Sequence, residues 1–124
     1  MSALNVFDAS ALLCFLLGEP GADLVEEQLA QPSACSAANW SEVAQKTLAH
    51  GRNWTAARAL LLGYDLVVEP VTQADAEAAA ALWTEHPDLT LADRLCLATG
   101  ARLEATVWTA DRAWGESERI RQVR

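Results

Sequence analysis

The chain has 124 residues, of which 52% are hydrophobic and 21% charged, and its formal net charge is -8. That length and apolar content predict one domain over residues 1–124 with a real core, and exclude a disordered chain. The charge excludes a long-range positive field that would draw in nucleic acid, so any such contact has to be local or bridged by metal cations.

In chain order, Leu4 to Phe7 predicts a short apolar strand ending at Asp8. Asp8 or Ser10 is placed to cap the helix that follows, read over Ala11 to Leu17 and stopped by Gly18 and Pro20. Gly21 to Ala30 predicts a second helix, with Leu24, Val25 and Leu29 on one side, ended by Pro32. Ser33 to Ala37 is a weak strand of small residues. Asn39 then caps a helix carrying Trp40, Val43, Ala44, Thr47 and Leu48 at helical spacing, closed by His50-Gly51. A further helix starts at Asn53 or Thr55 and runs to Leu62. Leu66 to Val68 is the clearest strand by composition. Thr72 to Trp83 predicts an alanine-rich helix with Asp75 placed for a capping box.

The stretch from Leu89 to Trp114 organises the rest. Thr90 caps a helix over Leu91 to Arg102 that is apolar on nearly every side and so is read as buried against a sheet. The strand Ala105 to Thr109 leads into Asp111 at the start of another helical segment, and Ile120 to Val123 predicts a last strand. Strands alternating with helices argue for a parallel sheet covered on both faces, with ligands in the crevice beyond the carboxyl ends of the strands. Cys14, Cys35 and Cys96 fit neither a disulfide framework nor a zinc site and read as small core hydrophobes. The first residues lack a signal peptide's pattern, and no apolar run approaches the roughly 20 residues of a membrane span. A soluble cytoplasmic protein is expected.

Four acids recur at one kind of place: Asp8 after the first strand, Glu42 and Asp93 in first turns of helices, and Asp111 after the fourth strand. Each alone has a simple explanation as a cap. Asn39-Trp40-Ser41-Glu42 fits a capping box, and Thr90-Leu91-Ala92-Asp93 is a variant of it. Together they would repel, by about 1 kcal/mol per pair at 4 Å in water, unless a hard cation lies between them. Magnesium takes oxygen ligands, uses one or two carboxylates directly and keeps several waters. Other chemistries find little support: there is no phosphate-binding glycine loop and no activated Ser or Cys context, and His50 and His86 stand at helix ends. Trp40 and Trp114 lie near acids and could stack on a base, although core packing suits most of the tryptophans better.

These residues resemble the PIN-domain family, and within it the VapC-type toxins of bacterial toxin–antitoxin pairs. The resemblance is carried by Asp8-Ala9-Ser10, Ser41-Glu42-Val43, Leu89 to Ala98, Thr109 to Trp114, and the terminal Ile120 to Arg124. It implies a PIN-like three-layer α/β/α sandwich with a central parallel sheet, and a Mg2+- or Mn2+-dependent endoribonuclease. It carries over Asp8, Glu42, Asp93 and Asp111 as catalytic and metal-holding acids, with Ser10 and Thr109 as supporting hydroxyls. A cognate VapB-type antitoxin that occludes the site, an RNA substrate and a homodimer are implied as well. Some family members carry one more acid where Ala113 stands here, which puts a fully occupied second metal site in question. The competing expectations are a non-catalytic PIN-fold interaction module, and a phospho-acceptor domain using Asp8.

Overall fold

A computed structural model describes residues 4–124; the first three residues of the chain lie outside it. The elements alternate: β1 (Asn5–Phe7), α1 (Ala9–Leu17), α2 (Ala22–Leu29), β2 (Ser33–Ser36), α3 (Ala37–Ala49), α4 (Trp54–Leu62), β3 (Val67–Glu69), α5 (Gln73–Leu82), α6 (Leu91–Arg102), β4 (Thr106–Thr109), a single 3-10 turn at Arg112–Trp114, and β5 (Ile120–Gln122). The five strands form one parallel sheet in the order β3-β2-β1-β4-β5. The architecture expected from the alternation of strands and helices is the one observed.

Period-two alternation divides the core between the two faces of the sheet. Phe7 and Cys35 pack with α1 and α2 residues such as Leu12, Val25 and Leu29. Their neighbours Val6 and Ala34 pack on the opposite face with Cys96 of α6, Val107 and Trp114. All three cysteines are buried and free, as their composition suggested. Among the described residues no helix is long and apolar enough to cross a membrane.

Caps decide where the helices begin: α1 takes one of its two expected caps, and α3 takes one that was not expected. Helix α1 starts at Ala9, because the Asp8 carboxylate takes the Ala11 N–H at 2.8 Å. Ser10 is therefore inside the first turn rather than capping it. Helix α3 starts at Ala37, because Ser36 Oγ accepts from Asn39 N at 3.2 Å. Asn39 is thus not the cap, the proposed Asn39–Glu42 capping box does not form, and Glu42 stands in the second turn. By contrast, the boxes at Thr72–Asp75 and Thr90–Asp93 are both present.

Helix α6 can lie close to β4 because residue 100 has no side chain: a methyl there would run into Val107 Cγ2. Gly100→Ala is expected to lower stability by about 1–2 kcal/mol, since overpacking outweighs the better helix propensity of alanine. Urea unfolding checks this, and the loss should shrink in a Val107→Ala background; additive losses would show that the two positions do not meet.

Candidate active site

In the sheet order, β2 and β3 lie on one side of β1, and β4 and β5 on the other. The chain reverses direction of growth between β1 and β4, so their carboxyl ends flank a topological switch point, the usual place for a ligand in an open parallel sheet. Asp8 follows β1 and Thr109 ends β4, so both meet at this crevice.

Asp8 is 3% exposed and is held from several directions. Ser10 Oγ donates to both of its oxygens, at 2.8 and 2.9 Å, and Thr109 Oγ1 donates to Oδ2 at 2.6 Å. The direction of these bonds is set by their neighbours. Ser10 Oγ already accepts from Ala110 N at 2.9 Å, and Thr109 Oγ1 from Asp111 N at 3.0 Å. Each hydroxyl proton is therefore left for the carboxylate. Burial nevertheless pushes the Asp8 carboxyl up to about 6, against the lowering pull of Thr109, the Ala11 N–H and Ser10, with Asp93 adding to the rise.

Three of the four expected acids share one electrostatic neighbourhood. Burial raises the thiols of Cys96 and Cys35, and the acids add to it: Asp8, Asp93 and Glu42 at Cys96, and Asp8 and Glu42 at Cys35. Asp93 also serves its helix, accepting from Thr90 N at 3.1 Å. Asp111 belongs to the same edge but is exposed, and its Oδ1 caps the 3-10 turn by accepting from Ala113 N at 2.9 Å. Its link to Asp8 runs through its backbone N–H and Thr109, and Gln122 Nε2 pins its carbonyl at 3.0 Å. Trp114 is buried in the core, and Trp40 is partly buried against the core, edge-on to Trp54 at 5.1 Å.

Reading from the sequence alone misses Ser36, Asn39 and Gln122. Asn39 is fully buried, and its Nδ2 reaches Glu42 Oε1 at 3.0 Å and the Ala92 carbonyl at 3.3 Å. The Ser36-x-x-Asn39 spacing was available as a signal, since it is the spacing of an N-cap and its N3 residue.

The donor set suits a hard divalent cation. The groups are carboxylates with hydroxyl support, and no ion pair among the described residues reaches Asp8, Glu42, Asp93 or Asp111. Among the described residues, however, no three His, Cys, Asp or Glu side chains are grouped closely enough to enclose a metal ion. The fit is to a cation that binds one or two carboxylates directly and keeps its waters, as Mg2+ does.

A five-stranded parallel sheet with helices on both faces, and acids gathered near its switch point, defines the class as an α/β/α sandwich. The family model for the PIN domain matches residues 6–119, and the chain belongs to the PIN-domain family. No curated protein matches it in sequence. Several solved structures share the fold. A toxin–antitoxin complex from Klebsiella pneumoniae matches with TM-score 0.80 and 23% identity, over 97% of this chain and 98% of that one. VapC20 of Mycobacterium tuberculosis, described as a Sarcin-Ricin loop cleaving toxin, matches with TM-score 0.71 and 19% identity, over 92% and 97%. VapBC2 from Rickettsia felis, bound to a DNA fragment from their promoter, matches with TM-score 0.75 and 12% identity, over 96% and 98%.

Proposed function

We propose that the chain is a metal-dependent endoribonuclease toxin that hydrolyses RNA phosphodiester bonds and is neutralised by a cognate VapB-type antitoxin. The observation that carries this reading is the buried Asp8 carboxylate, cradled by Ser10 and Thr109 at the switch point, with Glu42 and Asp93 near it and no ion pair to any of the three among the described residues. Membership of the PIN-domain family supports it. So does likeness in fold to a toxin described as cutting the Sarcin-Ricin loop and to two toxin–antitoxin assemblies.

In this reading Asp8, Asp93 and Asp111 hold Mg2+ or Mn2+, directly or through water, and Glu42 is a further ligand or orients the attacking water. A bound divalent cation supplies an activated water and positive charge against the phosphate oxygens. Ser10 and Thr109 fix the Asp8 rotamer, so that the carboxylate is held in one orientation. The net charge of -8 leaves no bulk attraction for RNA, so the substrate is chosen by local shape, as loops and ends are. The toxin would work in the cytoplasm as a homodimer, and the antitoxin would block the site with a basic side chain competing for the same carboxylates.

A non-catalytic interaction module is the second reading. It is favoured by the capping bonds that occupy Asp93 and Asp111. One experiment separates the two. Purified chain freed of any antitoxin should cut a loop-containing RNA with Mg2+ or Mn2+, and EDTA should reduce cutting at least about 100-fold, beyond the ~10–100-fold typical of losing an outer-shell partner. Cutting that persists in EDTA sinks the metal-dependent mechanism. Absence of cutting with either metal, together with retained binding to a neighbouring gene product, selects the interaction module.

A further inference from the structure

We infer that Asn39 is a positioning residue that sets the Glu42 carboxylate against the N-terminus of α6, where Asp93 stands. The inference deepens the ribonuclease reading above and rests on it.

Asn39 is the third residue of α3 and is 0% exposed. An amide that deep needs partners for two protons and a carbonyl oxygen, and here all are used. Oδ1 accepts from Ser36 Oγ at 2.7 Å. One Nδ2 proton goes to Glu42 Oε1 at 3.0 Å, and the other crosses to the Ala92 carbonyl at 3.3 Å. The orientation of the amide follows from this set. Flipping it would face Oδ1 against two acceptors, Glu42 Oε1 and the Ala92 carbonyl.

An amide that only closed the start of α3 would need Ser36 and nearby backbone. Asn39 instead spends one proton on a carboxylate one turn along its own helix. The other goes to a carbonyl 53 positions away in sequence, on the residue before Asp93. One planar group thus ties two elements that each carry an acid of the site. The Asn39–Glu42 bond also draws the carboxylate toward α6, so the spacing of Glu42 and Asp93 is set by the amide rather than by a flexible side chain.

The test uses the full chain, with Mn2+ as probe, and reads both binding and turnover. Free Mn2+ is followed by its paramagnetic resonance signal. Asn39→Ala should weaken Mn2+ binding about tenfold or more and lower kcat by about 10–100-fold, with KM for RNA within about twofold of the parent. In a Glu42→Gln background the same change should add less than about twofold to either quantity, because its route of action is gone. Parent-like Mn2+ affinity and kcat in Asn39→Ala overturn the inference, as does an undiminished effect in the Glu42→Gln background. Should Asn39→Ala fail to fold, Asn39→Thr keeps one donor: Mn2+ affinity between those of the parent and Glu42→Gln supports the inference, and parent-like affinity overturns it. A parent chain that neither binds Mn2+ nor cuts RNA overturns the ribonuclease reading itself, and this inference with it.

Discussion

Asp8→Asn should make the metal-free protein more stable at pH 7 by as much as about 3 kcal/mol, while lowering RNA cleavage at least about 100-fold. Burial raises the Asp8 carboxyl from 3.8 to about 6. Below 3.8 it is protonated in both folded and unfolded chains and contributes nothing. As pH rises from 3.8 through about 6, the unfolded chain releases its proton first, so stability is lost across that window and stays lost above it. At about 1.4 kcal/mol per pH unit, the full loss is about 3 kcal/mol. Asparagine removes the charge yet remains a good N-cap, so the bond from the Ala11 N–H can persist. Its amide nitrogen can donate to Thr109 Oγ1, whose own proton can then turn to Ser10 Oγ at 3.2 Å. The measurement is urea unfolding of both proteins in EDTA at pH 4 and pH 7. The variant should match the parent at pH 4, exceed it at pH 7, and gain no stability from Mg2+. A variant less stable than the parent at pH 7 would falsify the account of Asp8 as a strained, metal-ready carboxylate.

Arg102→Met should cost about 3–5 kcal/mol of stability, and Asp75→Asn distinctly less. Arg102 grips Asp75 with two parallel bonds, Nε to Oδ1 at 2.8 Å and Nη2 to Oδ2 at 3.1 Å, and approaches Glu69 at 3.7 Å. The pair joins α5 to the last turn of α6, and so stands behind the helix that carries Asp93. The two partners are unequally placed: the Asp75 side chain is 2% exposed, and that of Arg102 is 32% exposed. Removing the arginine leaves a carboxylate buried without a counter-ion, which is the costly way to break such a pair. Removing the aspartate charge leaves a guanidinium that can turn to water or to Glu69. The Arg102 hydrogen bonds hold the Asp75 carboxyl below its ordinary value, despite some opposition from burial. This contribution is therefore present above 3.8 and is lost as pH falls through the lowered folded value, the reverse of the dependence at Asp8. Urea unfolding of both variants at pH 7 checks the ranking. An Asp75→Asn loss equal to or greater than that of Arg102→Met would show that the asymmetry of burial does not govern the pair.

Much of this protein was determined by its sequence alone, through interactions between near neighbours in the chain. The start of α6 follows from Thr90 and Asp93, three residues apart, and that of α5 from Thr72 and Asp75 in the same way. The alternation of strands with helices leaves few arrangements besides a parallel sheet, and that puts Asp8 and Asp111 at one edge. The start of α3 was not legible in this way. Ser36, Asn39 and Ser41 are all competent caps within a few residues of one another, and local propensity does not rank them. Burial decides: the end of β2 places Ser36 where its hydroxyl meets the first free N–H groups, and Asn39 is drawn inward by Ala92 of a helix far along the chain. Glu42 consequently sits a turn deeper than its sequence context suggests.

Electrostatics at the site depended on the tertiary structure for the same reason. Nothing in the order of residues says that Asp8 will be sealed by α1 and β4 and pushed up to about 6, because desolvation is set by whatever packs around a group. The cap at Asp111 was legible in the sequence, but not that its carboxylate stays exposed while that of Asp8 is sealed. The sequence determined which carboxylates lie at the carboxyl ends of the strands and at helix N-termini. Packing determined which of them is buried, which is held by an amide, and which is left to the solvent.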